Sequence, residues 1–227
     1  MEVLMSETLI PDIVLQDNTN QRLPCVLVLD GSTSMAGAPI EELNKGLKVL
    51  ENELKQDDVA CQRVQLLVIR VGGLEEAEII SDWTDAIDFS APIIEANGMT
   101  PLGKGVSLAL KKIEEQKVNY RQHQIQYNRP WLFIFTDGEP NDGNWEKAAA
   151  ASVKAEQDNK AVVFCIGTEG ANFDKLSKFS SRTAMKLDGL QFEELFLWLS
   201  KSASSTSKAA VGEVAQLAAP DWGSVPT

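Results

Sequence analysis

The sequence predicts an α/β fold with a doubly wound, mostly parallel central sheet, in the strand order 3-2-1-4-5-6, and helices on both faces. Unbroken apolar runs, typical of strands buried on both faces, alternate along the chain with segments of helical periodicity. A short apolar run also follows the second strand closely enough to form a hairpin with it. One edge strand is therefore predicted to be antiparallel.

The elements follow from apolar periodicity and from the turn residues between them. The mixed segment 82–96 is expected to be a loop with a short strand or turn. Predicted strands cover 24–29, 63–71, 77–81, 131–136, 161–166 and 184–187, and predicted helices cover 39–56, 101–120, 145–158, 173–179 and the segment from Phe192 to Leu199.

These elements indicate a single domain over residues 22–200, because no internal repeat or second core is evident. Residues 1–21 are interpreted as a leader with a short edge strand near 13–15. Residues 201–227 are interpreted as a flexible C-terminal tail, since the segment 201–207 is rich in Ser and Ala. The charged pair Asp57-Asp58 is read as a solvated loop.

Composition narrows the classes of function. The 227 residues carry a formal net charge of -12, which argues against nucleic acid and against an anionic membrane surface as partners. No apolar run approaches the roughly 18 residues of a membrane span, and the acidic first residues lack the basic region of a signal peptide. Three cysteines without close pairing suggest reduced core thiols. We therefore expect a cytoplasmic protein.

Three polar segments stand at the ends of predicted core elements. Asp30 to Ser34 ends the first strand, Thr100 precedes the second helix, and Asp137 ends the strand at 131–136. Each segment has a purely structural alternative. The serines suit a turn or helix cap, Thr100 suits an N-cap, and Asp137-Gly138 suits a tight turn.

The predicted strand order brings the three segments together. The first and fourth strands are neighbours, and the chain reverses its direction of progression between them, which opens a crevice at their carboxyl ends. Five side chains there offer only carboxylate and hydroxyl oxygens, the ligands of a hard cation such as Mg²⁺, with Mn²⁺ or Ca²⁺ as alternatives. A cation held mainly by neutral hydroxyls should also attract a carboxylate from a partner. The candidate metal ligands are Asp30, Ser32, Ser34, Thr100 and Asp137.

The segment Asp30-Gly31-Ser32-Thr33-Ser34 resembles the DxSxS motif of von Willebrand factor type A (vWA) domains. Thr100 and Asp137 fall where that family supplies its separate Thr and Asp, and the resemblance covers roughly residues 22–200. It implies a metal-ion-dependent adhesion site (MIDAS) in which the two serines and Thr100 bind the metal directly, and the two aspartates bind it mostly through water. The order Gly31-Ser32-Thr33 departs from the Thr-Ser-Gly of many relatives.

Finer features resemble the bacterial TerY-type branch, which is associated with tellurium resistance. They are the segments 23–26, 127–131, 136–140 and 221–225. This resemblance implies a scaffold in stress-response or phosphorylation signalling, whose partner supplies an Asp or Glu and is a Ser/Thr kinase or a PP2C-like phosphatase. Residues beside the ligands are expected to contact it, namely Gly31, Thr33, Met99, Gly138 and Glu139.

Two enzyme classes are alternatives to a binding module. Residues 98–105 nearly spell a P-loop, but Gly105 stands where that motif needs Ser or Thr to bind Mg²⁺. A metal-dependent phosphohydrolase could use Asp30 as its nucleophile, but Ser32 stands where enzymes of that kind carry a second acid. The only histidine, His123, is far away in sequence. We therefore expect no catalytic residue and no enzyme activity.

Overall fold

The strands of the computed structural model follow the predicted order along the chain. The structure describes residues 18–74 and 76–210, together with the backbone of residues 223–224. The strand predicted near 13–15 and most of the predicted leader lie outside the described residues. The strands are β1 (Leu23–Gly31), β2 (Val64–Gly72), β3 (Glu76–Asp85), β4 (Trp131–Thr136), β5 (Val162–Gly167), β6 (Met185–Leu187) and β7 (Gly223–Ser224).

Helices connect most of these strands. Short 3-10 turns cover Thr33–Met35 and Ser177–Phe179. No helix in the described part combines the length and apolar character that a membrane span requires. The helices are α1 (Ala38–Gln56), α2 (Ala60–Arg63), α3 (Leu102–Gln122), α4 (Trp145–Gln157), α5 (Phe173–Leu176) and α6 (Phe192–Lys208).

The sheet has the order β3-β2-β1-β4-β5-β6-β7. The predicted order of the first six strands is confirmed, with β1 parallel to β2 and β4, and with β3 antiparallel to β2 at one edge. The two-residue β7 was not predicted and pairs antiparallel with β6 at the other edge. β3 is longer than expected, because its pairing with β2 continues to Gln65–Asp85.

Both faces of the sheet are covered, which explains why the central strands are mostly apolar. Every residue of β1 and β2 is buried. Along β1 the side chains alternate between two cores: Leu27 and Leu29 join the cluster under α1 and α6, whereas Val26 and Val28 join the cluster under α3 and α4. Polar groups can therefore gather at the ends of the strands, and the candidate ligands lie at the carboxyl ends.

The prediction that the segment 201–207 is flexible is wrong, because α6 continues through it to Lys208. Ala203 and Ser207 are buried, and Arg63 donates a hydrogen bond to the Ser207 carbonyl over 2.7 Å. Asp57, which the sequence suggested was solvated, binds the same helix through Ser204 Oγ at 2.6 Å and Lys208 Nζ at 2.7 Å. The small side chains of this segment allow α6 to pack closely against the rest of the domain.

The long connection from β3 to α3 is fastened to α1. Asn44 accepts from the Ile94 N–H over 2.8 Å and donates to the Ile94 carbonyl over 3.0 Å. Glu51 is buried, accepts from the Ala91 N–H over 3.0 Å, and pairs with Lys48 and Lys55. Burial alone would raise the pKa of Glu51, but the hydrogen bonds and lysines outweigh it and lower the pKa from 4.5 to about 2. The connection that leads to Thr100 is thus held by an ionised carboxylate.

Replacing Glu51 with Gln is expected to lower the free energy of unfolding by about 1–3 kcal/mol at pH 7. Because the folded-state pKa is depressed, this stabilisation is complete above about pH 4.5 and is lost as the pH falls towards 2. The difference in the free energy of unfolding between wild type and Glu51→Gln, measured by urea unfolding, should therefore be smaller at pH 3.5 than at pH 7. The exposed Glu115→Gln is the control, with little effect at either pH. A difference that is the same at both pH values would contradict the depressed pKa of Glu51.

Candidate metal centre

Two aspartates meet at the carboxyl edge because β1 and β4 are parallel neighbours. The register pairs Leu29 with Phe135, so Asp30 and Thr136 stand side by side at the next position, and Asp137 follows. This is the place at which the strand order reverses direction, as the sequence predicted.

Asp30 is completely buried, and both of its carboxylate oxygens accept hydrogen bonds. The Ser32 N–H donates to Oδ1 over 2.9 Å, and Thr136 Oγ1 donates to Oδ2 over 2.5 Å. Burial raises the pKa of Asp30, the hydrogen bonds from Thr136 and Ser32 act against that rise, and the charge of Asp137 adds to it. Asp30 therefore fixes the turn after β1 and places a carboxyl group beneath it.

The two serine hydroxyls face the second aspartate. Ser32 Oγ lies 3.0 Å from Ser34 Oγ, and Ser34 Oγ donates to Asp137 Oδ1 over 2.8 Å. Ser32 is buried, whereas Ser34 is exposed and Asp137 half-buried, so the row of oxygens runs from the interior to the surface. The spacing of two residues places both hydroxyls on one side of the turn, as the sequence predicted.

Thr100 approaches from the third segment. It immediately precedes Pro101, the N-cap position of α3, and it is buried. A Cβ atom built on Gly138 would lie 3.8 Å from Thr100 Oγ1, which places this hydroxyl beside the loop that carries Asp137. The structure thus brings all five predicted ligands to one edge of the sheet.

Backbone and side-chain hydrogen bonds hold the three loops in register. The Thr33 N–H donates to the Gly98 carbonyl over 3.0 Å, which joins the first loop to the second. Asn141 and Thr100 exchange two hydrogen bonds, of 3.1 and 3.2 Å, which join the second to the third. Asp142 accepts from the N–H groups of Gly103 and Lys104 at the start of α3. These hydrogen bonds therefore set the positions of the five candidate ligand residues without a bound metal.

The donor set fits a hard divalent cation. Asp30 and Asp137 lie close enough for their charges to repel, and in the described part of the chain no Lys or Arg forms an ion pair with either. The other oxygens are neutral hydroxyls. Among the described residues no group of three or more His, Cys, Asp or Glu side chains forms a metal cluster, so a metal here would depend on Ser and Thr hydroxyls.

The residues expected to contact a partner differ in exposure. Thr33, Met99 and Glu139 are exposed, and Gly138 is half-buried. Gly31 is buried, and a Cβ there would lie 2.6 Å from Arg70 Nε, so it presents no surface to a partner. Glu139 pairs with Lys175 at 3.0 Å and accepts from Asn172 at 2.8 Å; both contacts lower its pKa.

Sequence reasoning missed the residues that support the ligands. Thr136 bonds Asp30 and also accepts from the Gly138 N–H over 3.1 Å, and its position directly before Asp137 was the available signal. Asn141 and Asp142 lie within a polar stretch after β4, which is typical of a loop. No local pattern distinguishes them, because their partners are 38 to 41 residues away.

A sequence profile of the von Willebrand factor type A domain matches residues 25–194. The chain belongs to this family. The vWA family is a family of metal-dependent interaction modules, and the matched range contains all five candidate ligands. No functionally curated protein gives a significant match to the sequence.

Solved structures share the vWA fold at low sequence identity. A von Willebrand factor type A protein from Catenulispora acidiphila gives a TM-score of 0.60 at 16% identity, over 82% of this chain and 43% of that one. The pilus adhesin SpaC from Lactobacillus rhamnosus GG gives 0.66 at 12% identity, over 83% and 32%. The ArnB paralog VWA2 from Sulfolobus acidocaldarius gives 0.55 at 14%, over 81% and 46%. This chain therefore spans less than half the length of each.

Replacing Thr136 with Val is expected to lower the free energy of unfolding by about 1.5–3 kcal/mol, because the buried Asp30 carboxylate loses a hydrogen-bond donor. Thr136→Ser keeps the hydroxyl and is the matched control, with a smaller loss. Both are compared with wild type by urea unfolding in EDTA, so that metal binding does not contribute. Equal stability of the Val and Ser variants would show that the hydroxyl does not hold Asp30.

Proposed function

We propose that this chain is a metal-dependent protein-interaction module that binds a carboxylate of its partner through a MIDAS-type site. The observation that carries the proposal is the pair of neighbouring carboxylates, Asp30 and Asp137, which face serine and threonine hydroxyls without an ion-pair partner among the described residues. Such a site attracts a cation and leaves it short of anionic ligands. Membership of the vWA family supports the same function.

The proposed cation is Mg²⁺, with Mn²⁺ or Ca²⁺ as alternatives, because every available donor is a hard oxygen. Ser32, Ser34 and Thr100 would hold it directly, and Asp30 and Asp137 would act mostly through water. When bound, the cation would supply positive charge for an incoming carboxylate. Asp30 keeps the serine turn in place through its bond to the Ser32 N–H, and Asp137 orients the Ser34 hydroxyl.

The partner is proposed to supply an Asp or Glu side chain. Ser34, the most exposed of the hydroxyl ligands, opens the site to solvent, and Thr33 and Met99 stand exposed next to it. On the other side, Glu139 is neutralised by Lys175, which reduces the repulsion that a second acidic group would otherwise meet. A nucleic acid or an anionic membrane does not suit a chain with a net charge of -12.

The cellular role is proposed from the sequence resemblance to TerY-type proteins. It makes the chain a cytoplasmic scaffold in a bacterial stress response such as tellurite resistance, with a Ser/Thr kinase or a PP2C-like phosphatase as partner. The three cysteines are free thiols that form no disulfide with one another, which supports a reducing compartment, and burial raises the pKa of the Cys25 and Cys165 thiols.

Three observations disfavour the enzyme alternatives. In a P-loop the amides at the helix start bind phosphate, but here Asp142 already accepts from the N–H groups of Gly103 and Lys104. Asp30 is completely buried with both oxygens bonded, a poor position for a nucleophile that must reach phosphorus. His123 caps the far end of the 21-residue α3, roughly 30 Å from Thr100 at 1.5 Å per residue.

Millimolar Mg²⁺ or Mn²⁺ is expected to raise the melting temperature of the purified protein. Binding to the folded state alone stabilises it by about 2.7 kcal/mol when the free metal is 100 times its dissociation constant. Ser34→Ala and Thr100→Ala should remove most of this gain, whereas Ser177→Ala, a loss of an exposed hydroxyl elsewhere, should keep it. Melting curves that metal does not change in the wild type would argue against the proposed site.

A pull-down from the native host is expected to recover a kinase or phosphatase with the wild-type chain in Mg²⁺. The double variant Ser32→Ala/Ser34→Ala and the wild type in EDTA should both lose it, while Ser177→Ala should retain it. Substituting single Asp and Glu residues of the captured protein then identifies the carboxylate. If the same proteins bind in EDTA, the interaction does not pass through the metal.

A further inference from the structure

We propose that Arg70 is a positioning residue for the metal centre: it clamps the turn after β1 to the segment 95–100, and so sets where the serines stand relative to Thr100. This inference rests on the proposed function. Arg70 is paired with Leu29 in the β1–β2 register, next to the site, yet it binds none of the five candidate ligands.

All three nitrogens of the Arg70 guanidinium form polar contacts. Nε donates to the Glu95 carbonyl over 2.8 Å, and Nη2 donates to the Gly31 carbonyl over 3.2 Å and to Asn97 Oδ1 over 2.7 Å. Nη1 pairs with Glu78 at 2.7 Å, and only 9% of the Arg70 side chain is exposed. Because the guanidinium is planar and rigid, groups bonded to its different nitrogens are fixed relative to one another.

Two glycines make room for this group. A Cβ at position 31 would lie 2.6 Å from Arg70 Nε and 2.7 Å from the Glu95 carbonyl oxygen. A Cβ at position 72 would lie 2.8 Å from Arg70 Nη2. Gly31 and Gly72 end neighbouring strands and are paired in register, so the guanidinium occupies space that side chains at these strand ends would fill. The glycine at position 31 is thus explained by the arginine beside it.

The clamp acts on both sides of the metal centre. Gly31 directly precedes Ser32, while Asn97 lies three residues before Thr100. Two further backbone bonds continue the connection, from the Asn97 N–H to the Gly31 carbonyl over 2.8 Å and from the Thr33 N–H to the Gly98 carbonyl over 3.0 Å. Loss of the guanidinium should loosen these bonds and spread the metal ligands, since a site binds tightly only when its supporting contacts hold its geometry.

Arg22 provides a matched control for general loss of stability. It is also buried, and it lies at the opposite end of the sheet, next to the start of β1. Its guanidinium bonds the carbonyls of Gln62 and Asn18 and pairs with Asp85 at 3.1 Å. Arg22→Lys therefore removes a comparable network without touching the metal centre.

The experiment compares wild type, Arg70→Lys, Asn97→Ala and Arg22→Lys by amide hydrogen exchange in EDTA and by Mn²⁺ titration calorimetry. In Arg70→Lys the amides of Thr33 and Asn97 should exchange about tenfold faster, and Mn²⁺ should bind about tenfold more weakly, as expected for loss of a charge-assisted hydrogen bond. Asn97→Ala, a milder change at an exposed residue, should shift both quantities in the same direction. Arg22→Lys should lower the melting temperature but leave both near wild type.

If the amide exchange rates and the Mn²⁺ affinity are unchanged in both Arg70→Lys and Asn97→Ala, the proposed clamp is wrong. Changes in Arg22→Lys that equal those in Arg70→Lys would also overturn it. If Arg70→Lys does not fold, Asn97→Ala decides by the same two readouts. A wild-type protein that binds no Mn²⁺ refutes the proposed function, and in that case the exchange rates in EDTA alone decide whether Arg70 holds the two segments together.

Discussion

The parallel pairing of β1 with β4 is the constraint on which the candidate site depends. It places Asp30 beside Thr136 and brings Asp137 to the same edge, so that two acids from positions more than 100 residues apart share one small volume. The pairing is stabilised by burial on both faces, where alternate residues of β1 join separate cores. The free energy of the hydrophobic core thus holds together two charges that would otherwise separate.

A buried carboxylate is costly, and the structure compensates for that cost locally. Asp30 has two hydrogen-bond donors, and each belongs to a neighbour in the site: the Ser32 amide and the Thr136 hydroxyl. The same bonds orient the serine turn, so the groups that stabilise Asp30 also shape the proposed metal site. Asp137 remains half-buried, and among the described residues its carboxylate accepts a side-chain hydrogen bond only from the Ser34 hydroxyl, which leaves it available to a cation.

Side chains other than the candidate ligands also hold the site in shape. Asn141 and Asp142 fasten the loop after β4 to the start of α3, Arg70 connects the turn after β1 to the segment before Thr100, and α1 holds that segment from behind through Asn44. Each support joins segments far apart in sequence. The geometry of a site built on three loops therefore rests on side chains that are not themselves candidate ligands.

From the sequence it was possible to predict the fold class, the order of the first six strands and the five candidate ligands, because apolar runs, helical periodicity and a spaced DxSxS motif are local patterns. The order of these patterns was enough to predict that Asp30 and Asp137 share an edge. The folded chain was needed to reveal the roles of Thr136, Arg70 and Asp142, and the helical state of residues 201–208. The long-range contacts that define them join residues 25 to 151 positions apart, where neither propensity nor spacing carries information, and packing overrides the local preference of a Ser-rich segment.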